Sequence, residues 1–253
     1  MLARDNFLTL MAVSLLAYGS ADIAHHAIGH GGACIALGGH IVSLSSTHVE
    51  CTIRGAAIDL AGPFASLLIG ATSLGVFWFL RSTGSSSVRL LYGLVAAFNL
   101  FWFFGQLLFS AATLADDWAW ALHQFRVGNP VRFAMIITGV AGYGIVAVAV
   151  ARGFADFALP NRSRLARIVT IAWLTAGVFA CATALFDRAP MNAILHHAAP
   201  QSFGLAAGLL LAPRLTPNVK ESAAAIRLSL RWLAIASLVA GLSVVLLGPG
   251  FAL

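Results

Sequence analysis

The sequence predicts an all-α polytopic membrane protein with six or seven transmembrane helices. Of its 253 residues, 60% are hydrophobic and only 9% are charged, and the mean hydropathy is +0.89. Soluble globular domains carry roughly 25% charged residues. So few ionised groups cannot cover a soluble surface of this size, and the composition therefore excludes a soluble enzyme, a disordered chain and a secreted disulfide scaffold.

Seven apolar runs, separated by short polar connections that carry arginine, divide the chain into these helices. A bilayer core requires about 20 apolar residues per helix. The runs cover residues 7–37, 56–80, 88–115, 133–151, 168–186, 203–215 and 232–247. The run at 203–215 is short and contains Pro213, so six spans are expected and the seventh is left open. No repeat or linker subdivides the sequence, and residues 1–253 are predicted to form a single membrane domain.

The segment at 40–53, HIVSLSSTHVECTI, has a composition typical of short strands. It is rich in Val, Ile, Ser and Thr, lacks proline and follows a glycine pair. Such backbone is tolerated at membrane depth only where it pairs internally or lines a wet cavity. We therefore predict a short strand-like re-entrant segment between the first two helices. The three cysteines, Cys34, Cys51 and Cys181, are an odd number without framework spacing, and the sequence implies no disulfide pattern.

The net charge of +6 comes almost entirely from arginines between the apolar runs, which indicates membrane topology and lipid headgroup contact rather than nucleic-acid binding. If seven spans cross, eleven basic residues lie on the side of the N-terminus and four on the other side. The positive-inside rule then places the N-terminus in the cytoplasm. We expect an integral protein of a membrane such as the bacterial inner membrane.

The end of the first helix carries a cluster of polar residues in the stretch ADIAHHAIGHGGAC: Asp22, His25, His26 and His30. Residues four apart share one face of an α-helix, so Asp22, His26 and His30 are predicted to form one stripe. His26 and His30 can then point at one ion, as in the H-x-x-x-H half of a zinc site. Polar groups inside a membrane are costly and usually functional. The alternative is that these histidines bond to lipid or water at the interface.

A tetrahedral metal needs a third protein ligand, and the third helix offers one. A polar stripe runs along that helix at steps of 7, 4, 3 and 4 residues: Asn99, Gln106, Ser110, Thr113 and Asp117. The first and third helices run in the same direction, so their C-terminal ends lie on one side of the membrane. The predicted site is therefore one Zn²⁺ held by His26, His30 and Asp117, with Asp116 as the alternative third ligand. Helix–helix hydrogen bonding and an end-of-span charge would explain the same residues without a metal.

These residues together resemble the intramembrane zinc metalloproteases of the site-2 protease type. HAIGH at 26–30 stands where that family has H-E-x-G-H, and the strand-like segment 40–53 follows where the family has a membrane-inserted sheet. DLAGPFASLL at 59–68 is similar to the stretch that opens the next helix of the family core. The resemblance covers residues 7–120, with 121–253 as additional transmembrane helices. It implies a zinc-dependent intramembrane endopeptidase that acts on a transmembrane substrate helix.

Three departures from that family change what the resemblance implies. Ala27 stands in place of the glutamate that acts as general base, so the catalytic residue is unknown, and Asp22 and Asp59 are candidates to replace it. Asp117 is followed by Trp118 rather than by glycine. The family's metal lies toward the cytoplasm, whereas the charge count places this site on the other side. We therefore expect metal binding more than peptide hydrolysis.

Two other functions are compatible with the sequence. One is a non-catalytic membrane scaffold, or a protein that binds a client helix, because the glycine- and alanine-rich helices permit close helix contact. The other is a membrane di-iron oxygenase or desaturase, because the pair His196-His197 resembles the end of an H-x-x-H-H histidine box. Such a site needs roughly eight nitrogen ligands, and no second histidine box is present.

Overall fold

The computed structural model describes residues 5–81, 84–126, 128–159, 161–218 and 223–251. Eight helices and one hairpin make up most of these residues. The helices are α1 (Phe7–Ala36), α2 (Ala56–Phe79), α3 (Ser86–Thr113), α4 (Asp117–Gln124), α5 (Asn129–Gly153), α6 (Arg162–Ala184), α7 (190–215) and α8 (Leu230–Leu247). The strands are β1 (Ile41–Leu44) and β2 (Val49–Cys51). The predicted all-α polytopic fold is confirmed.

Six of the helices are long and apolar enough to cross a membrane: α1, α2, α3, α5, α6 and α8. The short run at 203–215 lies in α7, which mixes α-helical, π-helical and 3₁₀-helical turns. The loop before α7 reaches the hairpin, since Thr47 Oγ1 donates to Asp187 Oδ2 at 3.5 Å. The other end reaches the end of α5, where Thr216 Oγ1 donates to the carbonyl of Ala151 at 3.4 Å. Helix α7 therefore runs through the bundle from one side to the other.

The two sides of the bundle are called here the hairpin face and the opposite face. The hairpin face contains β1, β2 and α4, together with the loop before α7. The last described residue also lies there, because Phe251 forms an antiparallel bridge with Leu44. The first described residues lie on the opposite face, where Asn6 N donates to Ile226 O at 2.7 Å. The first and last described residues thus lie on different sides of the bundle, as seven crossings, by the six long helices and α7, require.

Helix α3 lies at the centre of the bundle and packs against α1, α2 and α5. The aromatic run in its middle provides the largest buried side chains, among them Phe98, Phe101 and Trp102, which are at most 2% exposed. The exposed apolar side chains lie on the outer helices, as expected for a surface in contact with lipid. The core therefore places the C-terminal half of α1 against α2 and α3.

The hairpin is held to the end of α1 by a disulfide between Cys34 and Cys51. Strands β1 and β2 pair antiparallel, with Leu44 opposite Val49. The sequence implied no disulfide pattern, but an odd cysteine count still allows one bridge with one thiol left over. The turn after α1 passes through Gly38 at a φ of +85°, which glycine adopts without strain and which returns the chain toward α1.

Candidate metal centre

The C-terminal half of α1 contains a π-helical segment, Ala24–Gly31, in place of regular α-helix. In a π-helix the hydrogen bonds join residues five apart, so residues at this spacing share a face. His25 and His30 are five apart, and their Nε2 atoms lie 3.2 Å from each other. The structure therefore brings His30 together with His25, whereas α-helical spacing had predicted His26 as its partner.

Asp117 supplies the third group of this cluster. Its Oδ2 lies 3.0 Å from His25 Nε2 and 3.2 Å from His30 Nε2. The three residues are buried, with exposures of 1%, 8% and 5% for His25, His30 and Asp117. Among the described residues, this is the one group of three His, Cys, Asp or Glu side chains whose ligand atoms all lie within 4.8 Å of one another. We refer to His25, His30 and Asp117 as the triad.

Asp117 reaches the triad from the start of α4 and not from the end of α3. Helix α3 ends at Thr113, because Leu114 adopts a left-handed φ of 56°. Asp116 has a φ of 75°, and its side chain accepts a hydrogen bond from Asp117 N at 3.0 Å. The polar stripe predicted for α3 therefore stops before Asp117. Gln106 on α3 still contacts this residue, since its Nε2 donates to Asp117 Oδ2 at 2.8 Å.

Hydrogen bonds on the far side of each imidazole orient the triad histidines. His30 Nδ1 lies 2.7 Å from the carbonyl of Ile58, which can only accept, so the ring proton resides on Nδ1. The Ser66 hydroxyl lies 3.2 Å from His25 Nδ1, and its oxygen can accept a hydrogen bond from a protonated Nδ1 in the same way. In neutral histidines of this tautomer, both Nε2 lone pairs face Asp117. The ring of His25 also stacks on Trp102, with centroids 4.6 Å apart.

Two glycines let α1 and α2 approach closely beside the triad. A Cβ on Gly62 would lie 2.3 Å from His30 Nε2, and a Cβ on Gly29 would lie 2.5 Å from Gly62 Cα. Only residues without a side chain fit this crossing. The small size of Gly62 keeps open the space in front of His30.

The charges around α4 act in opposite directions on its two acidic residues. Burial and the negative charge of Asp117 together raise the pKa of Asp116 to about 6. Burial by itself would also raise the pKa of Asp117, but without a metal ion a protonated His30 and hydrogen bonds from His25 and His30 outweigh it and lower this pKa. Asp117 is therefore a carboxylate at neutral pH.

The other predicted site residues lie close to the triad but make different contacts. His26 Nδ1 donates to Asp22 Oδ1 at 3.1 Å, four residues earlier on α1. Ala27 packs against the hairpin cluster around Cys34 and Ile41. Asp59 Oδ2 accepts a hydrogen bond from Gln124 Nε2 at 2.7 Å. The structure thus separates His26 from His30 and pairs it with Asp22.

A small cavity of about 80 Å³ adjoins the triad. The residues that line it come from α1, the hairpin, α2, α4 and α7, and they include Asp59, Asp116, His26, His48, His197 and Gln201. A larger cavity of about 610 Å³ opens beside it between β2 and α4. His48, Asp59 and Trp120 line both cavities. The triad therefore faces polar space on the hairpin face of the bundle.

The sequence did not indicate Ser66, the Ile58 carbonyl or Gly62 as parts of the site, and it placed His25 in the histidine cluster without predicting it as a ligand. The adjacent pair His25-His26 was the one available signal, because two neighbouring histidines leave open which of them faces His30. Ser66 and Gly62 follow Asp59 at helical spacings on α2, but small residues of this kind are common in membrane helices.

The chain matches no protein-family model, no curated protein and no solved structure. Its function is therefore inferred from the chemistry of the site.

Proposed function

We propose that this integral membrane protein binds one zinc ion at His25, His30 and Asp117 and uses it to hydrolyse a substrate at the hairpin face. The spacing of the triad supports this. Three ligands of a tetrahedral zinc with bonds of about 2.0–2.1 Å lie roughly 3.3 Å apart. The triad atoms lie 3.0–3.2 Å apart.

The observation that carries the proposal is the orientation of the imidazole lone pairs. With the ring protons on Nδ1, three electron-rich atoms face one another at these distances. In a buried site this arrangement is unfavourable unless a positive charge lies among them. Gln106 donates one hydrogen bond to Asp117, but its amide carries no charge. A divalent cation supplies the missing charge.

The chemistry of the site points to hydrolysis. Catalytic zinc sites have three protein ligands and one open position, and the ion lowers the pKa of a bound water and polarises a carbonyl. Because Ala27 packs against the hairpin, it does not line the cavity, and a proton acceptor has to come from another residue. Asp59 and Asp116 are carboxylates that line the cavity. The substrate we propose is a membrane-associated peptide, reached through the larger cavity.

The proposed orientation places the hairpin face outside the cytoplasm, as in a bacterial inner membrane. The distribution of arginines supports this orientation. The Cys34–Cys51 disulfide lies on the same face, and disulfides persist in oxidising compartments. The metalloprotease resemblance stays part of the proposal, with two differences: the ligand histidines are five residues apart, and the site faces the other side.

The test is the zinc content of the purified full-length chain in detergent. The double variant His25→Ala, His30→Ala should hold one zinc ion less per chain than the wild type and should lose hydrolysis of a membrane peptide library. An exposed pair, His123→Ala with His196→Ala, is the matched control. Equal zinc content in all three proteins would refute the metal site, and a non-catalytic scaffold would then be the better function.

A further inference from the structure

A second group of histidines lies across the small cavity from the triad. It consists of His26 on α1, His48 in the turn between β1 and β2, and His197 on α7, and all three line the cavity. The three imidazoles are close enough to interact electrostatically: His48 interacts with His26, and His197 interacts with both His26 and His48. Three separate elements therefore direct nitrogen ligands to one place.

Two of these imidazoles, those of His26 and His48, form a hydrogen bond through Nδ1, as metal-binding histidines do. His26 Nδ1 donates to the Asp22 carboxylate. His48 Nδ1 lies 3.0 Å from Ser45 Oγ, which itself donates to the carbonyl of His48 at 3.1 Å. With its own proton directed at that carbonyl, the Ser45 oxygen accepts a hydrogen bond from His48 Nδ1. A carboxylate or hydroxyl at Nδ1 fixes the tautomer and frees Nε2 for an ion.

Gln201 provides an independent indication that a ligand belongs in this space. It follows His197 by one helical turn on α7 and lines the same cavity. The residue is only 6% exposed, and its Oε1 is buried without a hydrogen-bond partner. A buried amide oxygen without a partner has lost its hydration with no hydrogen bond in return, which costs free energy. An ion or its bound water beside Oε1 would remove that cost.

The hairpin that carries His48 is fixed at several points around the cavity. The disulfide attaches β2 to α1, and Ser46 N donates to Leu247 O at the end of α8. Thr47 bonds to Asp187 just before α7. His48 is therefore positioned by the same elements that carry His26 and His197. Its imidazole is exposed and that of His197 is partly exposed, so both rings can turn toward His26.

We propose that His26, His48 and His197, with Gln201, form a second binding site for a divalent transition metal at the mouth of the cavity. Imidazole nitrogens with an amide oxygen suit zinc and similar ions. The ligand atoms of this group are spaced more widely than those of the triad, so His48 and His197 close on the ion when it binds. This site does not depend on hydrolysis at the triad.

The experiment is a zinc titration of the full-length protein in detergent, followed by measurement of bound zinc per chain. The wild type should bind two ions, and the double variant His48→Ala, His197→Ala should bind one. His25→Ala with His30→Ala should also bind one, and the variant with all four substitutions none. The control pair His123→Ala, His196→Ala should still bind two.

A His48/His197 variant that binds as many ions as the wild type would overturn the proposal. If the double variant does not fold, His197→Gln keeps a polar side chain of similar length and should weaken the second ion at least tenfold; unchanged affinity in that variant also overturns it. If the His48/His197 variant loses an ion but the His25/His30 variant does not, the second site stands and the proposed zinc at the triad fails.

Discussion

The hairpin face and the opposite face both bury carboxylates, but they stabilise them with different partners. On the opposite face, Asp5 forms a bidentate ion pair with Arg164, and each of its two hydrogen bonds is 2.8 Å long. Asp156 pairs with Arg89, whose guanidinium also lies over the ring of Phe157. These two carboxylates therefore have permanent cations beside them, because arginine keeps its proton at any physiological pH.

On the hairpin face, Asp117 and Asp22 are bonded to imidazoles instead. Imidazole is neutral for much of the physiological pH range and is also a good metal ligand. A carboxylate with an arginine partner is already neutralised, whereas a carboxylate among neutral histidines attracts a cation. Burial of a charged group alone therefore does not identify a metal site. The marker is a buried carboxylate whose partners are themselves ligands.

The largest effect on metal binding is expected from Gly62→Ala, which replaces none of the ligand residues. Its Cβ would lie 2.3 Å from His30 Nε2 and has to displace that ring. We expect the zinc affinity of the triad to fall more than about 100-fold, since the substitution blocks a ligand atom directly. The control is Gly75→Ala on the same helix, where a Cβ meets nothing within 4 Å. Equal zinc binding in both variants would show that His30 is not a ligand.

The second prediction concerns the opposite face. Asp5→Asn removes the buried carboxylate that pairs with Arg164 and Arg167, and breaking such a pair costs about 3–5 kcal/mol. The free energy of unfolding in detergent should fall by that amount, while the zinc content stays at the wild-type value. A loss of zinc in this variant would mean that the two faces are not independent.

The disulfide gives a smaller effect on stability. Cys34→Ser opens a loop of 17 residues, for which chain entropy predicts a loss of about 3 kcal/mol. Cys181→Ser removes the unpaired cysteine and serves as the control. Thermal unfolding should separate the two variants clearly, and a Cys34→Ser protein as stable as the control would mean that the bridge adds nothing to the hairpin face.

Ser66→Ala tests the support behind His25. Loss of a group that orients a ligand histidine typically costs 10–100-fold in metal affinity. Ser73, which is also buried on α2, provides the control substitution Ser73→Ala. A competition assay with a zinc chelator measures both affinities, and the role of Ser66 is refuted if they are the same.

The smallest effect is a change with pH. Burial would raise the pKa of Asp5, but hydrogen bonds from Arg164 and Ile226 N and the charges of Arg164 and Arg167 outweigh it and hold the pKa below 3.8. A lowered pKa contributes stability above the unfolded pKa, and this stability is lost as the pH falls through the folded pKa. The stability difference between wild type and Asp5→Asn should therefore be constant near neutral pH and shrink below about pH 3.8. A difference that persists at lower pH contradicts this assignment.

Composition and apolar run length were sufficient to predict the helical membrane fold, because burial in lipid restricts the chain to so few structures. The strand-like segment was predicted from its composition, and the structure forms β1 and β2 within it. The span at 203–215 was left open because Pro213 interrupts its apolar run. In the structure, α7 continues through Pro213. Local pattern was thus a good guide where one physical force dominates.

The site was less predictable, for reasons that concern geometry. His30 and Asp117 were both identified from the sequence, but their contact depends on a left-handed turn at Leu114. The partner of His30 was predicted with α-helical spacing, and the π-helical segment changes the register. The disulfide depends on how the hairpin folds back on α1, which cysteine spacing alone does not specify.

The π-helical segment of α1 contains one residue more than an α-helix would need to make the same turn. Deletion of one residue between His26 and His30 would let this part of α1 return to α-helix. His25 and His30 would then be four residues apart. A related sequence could therefore differ from this one by a gap of a single residue and still carry an equivalent ligand pair. Searches for such sites should accept histidines at either spacing.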